Sequence, residues 1–226
     1  MSDAYAQVFE RVMPPSTLAE RIGALNWLRI ENELDERGYG TTGPLLTPEE
    51  CAELVDGYDS EGGFRSKVIM ARHGFGQGEY KYYDYPLPGS IAALRDDLYP
   101  HLAPVANRWH EAMKLEERFP DNLDAYLAHC HKAGQIRPTP LQLRYRTGDY
   151  NCLHRDLYGD MVFPLQAAFQ LNAPGDDFTG GEFVLTEQRP RRQSRVEVVS
   201  LKQGEGVIFA VNQRPMQGTR GTYRVA

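Results

Sequence analysis

The chain has 226 residues, 41% of them hydrophobic, and its 25 Lys and Arg against 31 Asp and Glu leave a net charge of −6. That length can bury a full core as one domain. The acidic balance argues against bulk, non-specific binding of nucleic acid, though it leaves room for a local basic groove. Cys51, Cys130 and Cys152 are widely spaced and form no CxxC pair, which argues for reduced thiols over a disulfide framework or a zinc site.

In chain order, MSDAYAQVFERVMPP lacks the apolar segment of a signal peptide, and no apolar run approaches the roughly 18 residues of a membrane span. A soluble cytoplasmic protein with no membrane partner is the expectation. Thr17 and Glu20 make a capping box ahead of Leu18, Ile22, Leu25 and Leu28 at helical spacing, with Gly38 as the stop. Thr47-Pro48-Glu49-Glu50 starts a second helix, expected to turn Ala52, Leu54 and Val55 inward and to end near Tyr58. Residues 63–85, with Tyr80, Tyr82, Tyr83 and Tyr85, read as strands and loop. Ser90 to Met113 reads as a helix broken near Pro100 or Pro104, and Asp121 to Lys132 as another.

From Pro140 the period changes to two. Leu141, Leu143 and Tyr145 alternate with polar neighbours; strand signals recur at 165–171, 183–185, 196–198 and 207–211, between Gly-rich turns. Residues 1–139 thus read as a mainly helical support with a few strands, and 140–226 as a strand-rich core, together one integrated α+β domain. Five short strands at this rhythm predict a β-sandwich or jelly roll.

The chemistry concentrates in LRYRTGDYNCLHRD, residues 143–156. Within a strand, positions i and i+2 share a face, so His154 and Asp156 are expected to point together, with Arg155 turned aside. One imidazole and one carboxylate on a common face are two members of a 2-His-1-carboxylate facial triad. Taken alone, the pair also reads as a surface His beside a turn Asp.

The order of motifs around it is informative: Tyr145, Gly148-Asp149-Tyr150, His154-Arg155-Asp156, Phe169-Gln170-Leu171-Asn172, Gly180-Gly181-Glu182-Phe183 and Gly204-Glu205-Gly206-Val207-Ile208-Phe209. Over residues 141–226 this resembles the Fe(II)/2-oxoglutarate-dependent dioxygenases, in their prolyl-hydroxylase-like branch. The whole chain is also similar to a bacterial subfamily labelled by analogy as oxidative DNA-repair oxygenases. The resemblance implies a double-stranded β-helix (jelly roll) and a dioxygenase using Fe(II), 2-oxoglutarate as co-substrate and O2. It implies His154 and Asp156 as metal ligands and Tyr145 as a residue that binds 2-oxoglutarate, unless Tyr145 only packs. Gly180, Gly181 and Glu182 read as turn-forming. Hydroxylation of a prolyl or other side chain is the first functional expectation. Oxidative dealkylation of a nucleobase in DNA or RNA is the alternative within the same chemistry, and a non-catalytic β-sandwich binding module the alternative outside it.

The chain also departs from the family pattern. No His follows His154, whereas the family places a second His on a late strand and, after it, a basic anchor for the co-substrate. The segment 220–226 resembles the lead-in to that strand, so the third ligand and the anchor are expected beyond Ala226; Arg220 and Arg224 precede the anchor position. Among the other histidines, His101, His110, His129 and His131 fall on helices as surface or core-edge residues. His73, in ARHGFGQGEY, lies where it could cover the site mouth. Gly74–Gly78 is not a phosphate loop, since no Lys-Ser/Thr or helix start follows. Arg189, Arg191, Arg192 and Arg195 read as a solvated hairpin loop or, for a nucleic-acid substrate, as its contacts.

Overall fold

The computed structural model describes residues 17–157, 159–219 and 221–226; the N-terminal stretch read above as lacking a signal peptide, and Arg220, lie outside them. Thr17 and Glu20 exchange backbone hydrogen bonds as a capping box and open α1 (Leu18–Gly23). The single helix expected from Thr17 to the stop at Gly38 is two. Asn26 caps a restart as α2 (Trp27–Arg37), which leaves Leu28 exposed and gives the buried stripe to Ile30 and Leu34. Gly38 closes α2 in the left-handed conformation, at φ +81°. After β1 (Tyr39–Pro44), a second capping box at Thr47 and Glu50 starts α3 (Pro48–Gly57), whose inward side chains are Cys51 and Leu54, followed by Tyr58; Ala52 faces solvent.

Next come β2 (Phe64–Ile69), β3 (Gly76–Gln77), β4 (Glu79–Tyr83) and α4 (Gly89–Ala112). The expected break in α4 does not occur: the helix runs through both Pro100 and Pro104. An interior proline costs about 3 kcal/mol. Against that, Leu94, Leu98, Leu102, Val105 and Trp109 are all buried along α4, and a buried side chain of this size contributes roughly 1.5–3 kcal/mol. Packing outweighs the two prolines. Asn122 caps α5 (Leu123–Lys132), whose Tyr126 and Cys130 pack on Tyr99 and Phe119.

The strand-rich half holds β5 (Leu141–Arg144), β6 (Tyr150–Asn151), β7 (Leu165–Phe169), β8 (Phe183–Glu187), β9 (Arg195–Val199), β10 (Glu205–Ala210), β11 (Arg214–Gly218) and β12 (Gly221–Val225). The last two form a hairpin the sequence did not suggest beyond its turn, with Arg214 across from Val225. Every ladder among the described strands is antiparallel, in the orders β1-β10-β7, β2-β4-β5, β3-β6, β8-β9 and β11-β12. The architecture is mixed α/β with antiparallel strands.

Alternation along β10 builds three layers. Ile208 points into the cluster formed with α1, α2 and α4, while Val207 and Phe209 point the other way, toward Phe183, Leu185 and Val199 of the β8–β9 ribbon. Arg214, only 3% exposed, ties helix to ribbon: it donates to the Asp35 and Glu36 carbonyls at the end of α2 and to Glu187 Oε2 at 2.6 Å. Among the described residues no helix is long and apolar enough to cross a membrane.

Candidate active site

The β4–β5 register sorts side chains by face. Glu79 and Lys81 lie opposite Arg144 and Gln142, and on this face Arg144 is held by Glu79 and Asp59. Tyr80 and Tyr82 lie opposite Leu143 and Leu141 on the other face. The chain then passes Tyr145 and turns at Gly148, where the Asp149 carboxylate accepts from the Arg146 amide, into β6. Gly76 pairs with Asn151 and Gln77 with Tyr150, and the Cys152 amide donates to the Phe75 carbonyl, one pair further on. Gly76 sits at φ +124°, and a Cβ there would stand 2.2 Å from the Tyr150 carbonyl oxygen; at Gly78 a Cβ would stand 2.9 Å from the Tyr145 ring. The Gly74–Gly78 segment is therefore a seam of close backbone approach.

His154 and Asp156 do not lie on a strand. β6 lasts two residues because its partner turns away through the 3-10 turn at Met70–Arg72 and His73, so Leu153 to Leu157 have no ladder and form an exposed loop. The loop nevertheless brings the pair together: His154 Nε2 is 3.4 Å from Asp156 Oδ1. His154 Nδ1 is 2.7 Å from the Cys152 carbonyl oxygen, which can only accept, so Nδ1 carries a proton and Nε2 presents toward the carboxylate. Both atoms have a lone pair to offer a metal ion. Donors bound about 2.0–2.2 Å from one metal at adjacent positions stand roughly 3 Å apart, so the pair fits two ligand positions. Arg155 is turned aside, to Asn212 Oδ1 at 3.0 Å.

Among the described residues, no group of three or more His, Cys, Asp or Glu is placed to hold a metal. His73 is exposed and stacks on Phe75, with centroids 5.3 Å apart. His101 stacks on Trp27, His110 contacts the Glu117 carbonyl, and His129 and His131 occupy the last turn of α5. Arg224 is engaged by the Met113 carbonyl. In the basic run, Arg189 pairs with Glu187 and Arg195 with Glu197, leaving Arg191 and Arg192 without a carboxylate partner among the described residues.

Tyr145 lies beside the seam. Burial raises its phenol pKa, and the nearby Asn151 side chain acts against that rise. Sequence reasoning missed Tyr82. Its pKa is raised first by burial, then by Tyr80 and the Asp156 charge, and is opposed by Arg65, whose guanidinium lies 4.3 Å over its ring. The signal was present in the period-two spacing of Tyr80 and Tyr82, which puts both on one face of β4.

Residues 78–226 match the family Oxygenase-NA, described as an oxygenase "catalysing oxidative methylation of damaged DNA". The chain belongs to this family. The Oxygenase-NA match takes in Tyr82, Tyr145, His154 and Asp156, and leaves Arg65, His73 and Phe75 outside. Two uncharacterized proteins of Mycobacterium tuberculosis, MT2286 (strain CDC 1551 / Oshkosh) and Rv2227 (strain ATCC 25618 / H37Rv), are each 50% identical over 136 residues, which is 60% of this chain. The chain spans 58% of the length of these curated relatives. A crystal structure of a Pseudomonas putida prolyl-4-hydroxylase aligns over 92% of this chain and 90% of its own, with a TM-score of 0.44 and 12% identity.

Proposed function

We propose that this Oxygenase-NA protein is an Fe(II)- and 2-oxoglutarate-dependent dioxygenase that dealkylates nucleobases in damaged DNA, on a double-stranded β-helix. The observation that carries it is the His154–Asp156 pair, 3.4 Å apart and backed by the Cys152 carbonyl, inside the family match. The backing carbonyl fixes the imidazole tautomer, as metal-bound histidines require. His154 and Asp156 would hold Fe(II); with 2-oxoglutarate and O2 it supplies the oxidising power to hydroxylate a methyl group. Tyr145, whose ring lies against Gly78 beside the seam, would donate its O–H to the co-substrate carboxylate. Tyr82, with the Arg65 guanidinium over its ring and within electrostatic reach of Asp156, would wall that side of the site. A third protein ligand lies outside this pair. The family description favours damaged DNA over the prolyl side chain first expected from the sequence, and the substrate assignment rests on that description.

The test is turnover of a single-stranded oligonucleotide bearing N-methylated bases with Fe(II), 2-oxoglutarate and O2. Succinate and formaldehyde should appear in equal amounts, and His154→Ala should abolish both, because losing a ligand costs more than the about 10–100-fold of an outer-sphere partner. Succinate release unchanged in that variant refutes the ligand assignment. Hydroxyproline from a proline peptide, with no formaldehyde from the oligonucleotide, restores the prolyl reading. Absence of both activities, with the oligonucleotide bound, leaves the binding-module reading.

A further inference from the structure

Six of the twelve large hydrophobic side chains exposed among the described residues crowd around the seam: Phe75, Leu143, Tyr145, Tyr150, Leu153 and Leu157. Phe75 is 41% exposed yet firmly held. Its amide donates to the Met70 carbonyl, its carbonyl accepts from Cys152, and His73 stacks on its ring at an interplanar angle of 24°. Cys152 is the residue whose carbonyl holds His154, so the stacked rings stand next to the strand end that carries the ligand pair.

This surface also carries positive charge. Some arginines of this acidic chain are neutralised by carboxylates, among them Arg21 by Glu50, Arg144 by Glu79 and Arg214 by Glu187. Arg72, next to His73, and Arg146, next to Tyr145, are exposed and have no carboxylate partner among the described residues. Rings left partly exposed among the described residues, flanked by guanidiniums without a carboxylate partner there, match a strand of unpaired bases joined by phosphates, because every base has a π-face and every phosphate takes a guanidinium fork.

We propose that residues 72–77 and the 145–150 turn form a docking platform for single-stranded nucleic acid, with a base stacked on the Phe75–His73 pair and adjacent phosphates on Arg72 and Arg146. The nature of the occupant rests on the functional reading above; residues 72–77 lie outside the segment matched to the family, and the 145–150 turn lies within it. It gives this chain its own means of presenting a strand to the His154–Asp156 pair, and its net charge of −6 makes such local cations the attractive element.

The experiment is equilibrium binding, without metal or co-substrate, of a fluorescein-labelled single-stranded oligothymidylate and of an abasic strand of the same length. Wild-type protein should bind the thymidine strand more tightly. Phe75→Ala should weaken that binding about 5- to 150-fold, the range for losing one base–aromatic stack, and leave abasic binding unchanged. Phe75→Trp should retain it. Arg72→Gln and Arg146→Gln should each weaken both strands and lower the salt slope by about one. Equal binding of the two strands by wild type, or wild-type affinity in Phe75→Ala, overturns the platform. So does a proline-rich peptide that binds Phe75-dependently while neither strand does. Because no turnover is measured, failure of the oxygenase chemistry leaves this result readable, and wild-type strand affinity in Phe75→Ala overturns the platform alone.

Discussion

Arg214 and Arg155 meet the same turn between β10 and β11, yet their surroundings are opposite. Arg214 is almost wholly buried and every bond it makes is internal, to the end of α2 and to Glu187. Arg155 is exposed, its guanidinium bonds the Asn212 side chain, and it belongs to a loop with no ladder. The layers around Arg214 hold the fold: helices, the β1-β10-β7 sheet and the β8–β9 ribbon each bury a face. The edge around His154 is held by two strand pairs and a few backbone bonds, and its aromatics and cations face outward. Stability and candidate chemistry are thus spatially separated, as expected where binding groups sit on loops braced by a rigid scaffold.

The strongest way to break that contrast is Arg214→Met. It leaves the Asp35 and Glu36 carbonyls without this donor and Glu187 without its buried partner, and should destabilise the protein by about 3–5 kcal/mol in urea unfolding. Metal affinity of the folded fraction should stay as it was. A cost below about 1 kcal/mol would show that the layers do not depend on this tie.

On the other side, Gly76→Ala forces a Cβ against the Tyr150 carbonyl at a φ that L residues avoid, a strain of about 1–3 kcal/mol. The cheapest relief is to open the β3–β6 pair. Hydrogen exchange at the Cys152 amide should accelerate and metal affinity should fall, while the global unfolding midpoint moves less than for Arg214→Met. Unchanged Cys152 protection would mean that the seam does not position the loop.

The smallest effect is a pH dependence in the buttress. Burial pushes the Glu187 carboxyl pKa up, but Arg189 and Arg214 outweigh it and hold it below the ordinary value of 4.5. A depressed carboxyl contributes stability above its unfolded pKa and loses it as pH falls through its folded one. The stability gap between wild type and Glu187→Gln should therefore be steady above about pH 4.3 and close below it, over a total change under about 1 kcal/mol. A gap that widens on acidification would reverse the assignment.

The elements themselves were largely legible. Capping boxes at Thr17 and Thr47, the stop at Gly38 and the alternation in β5, β7, β8, β9 and β10 are local signals, and local hydrogen bonding and side-chain period suffice to produce them. The misreadings share one cause. The helix through Pro100 and Pro104, the restart at Asn26 and the exposure of Ala52 depend on which surface packs against which, and no local window contains that.

The site divides the same way. Strand spacing together with the family resemblance singled out His154 and Asp156. That the two side chains meet from a loop instead was decided by Gly76 and Phe75, some 80 positions away: their backbone pairs with β6 for only two residues and then turns off. Tyr82, Arg65 and the Phe75–His73 stack reach the site through the same antiparallel pairings. Sequence by itself determined which residues can do chemistry, because donor type and spacing are properties of the chain. Tertiary structure decided which of them meet, because contacts across strands depend on register between distant segments, and register is set by the burial of whole faces.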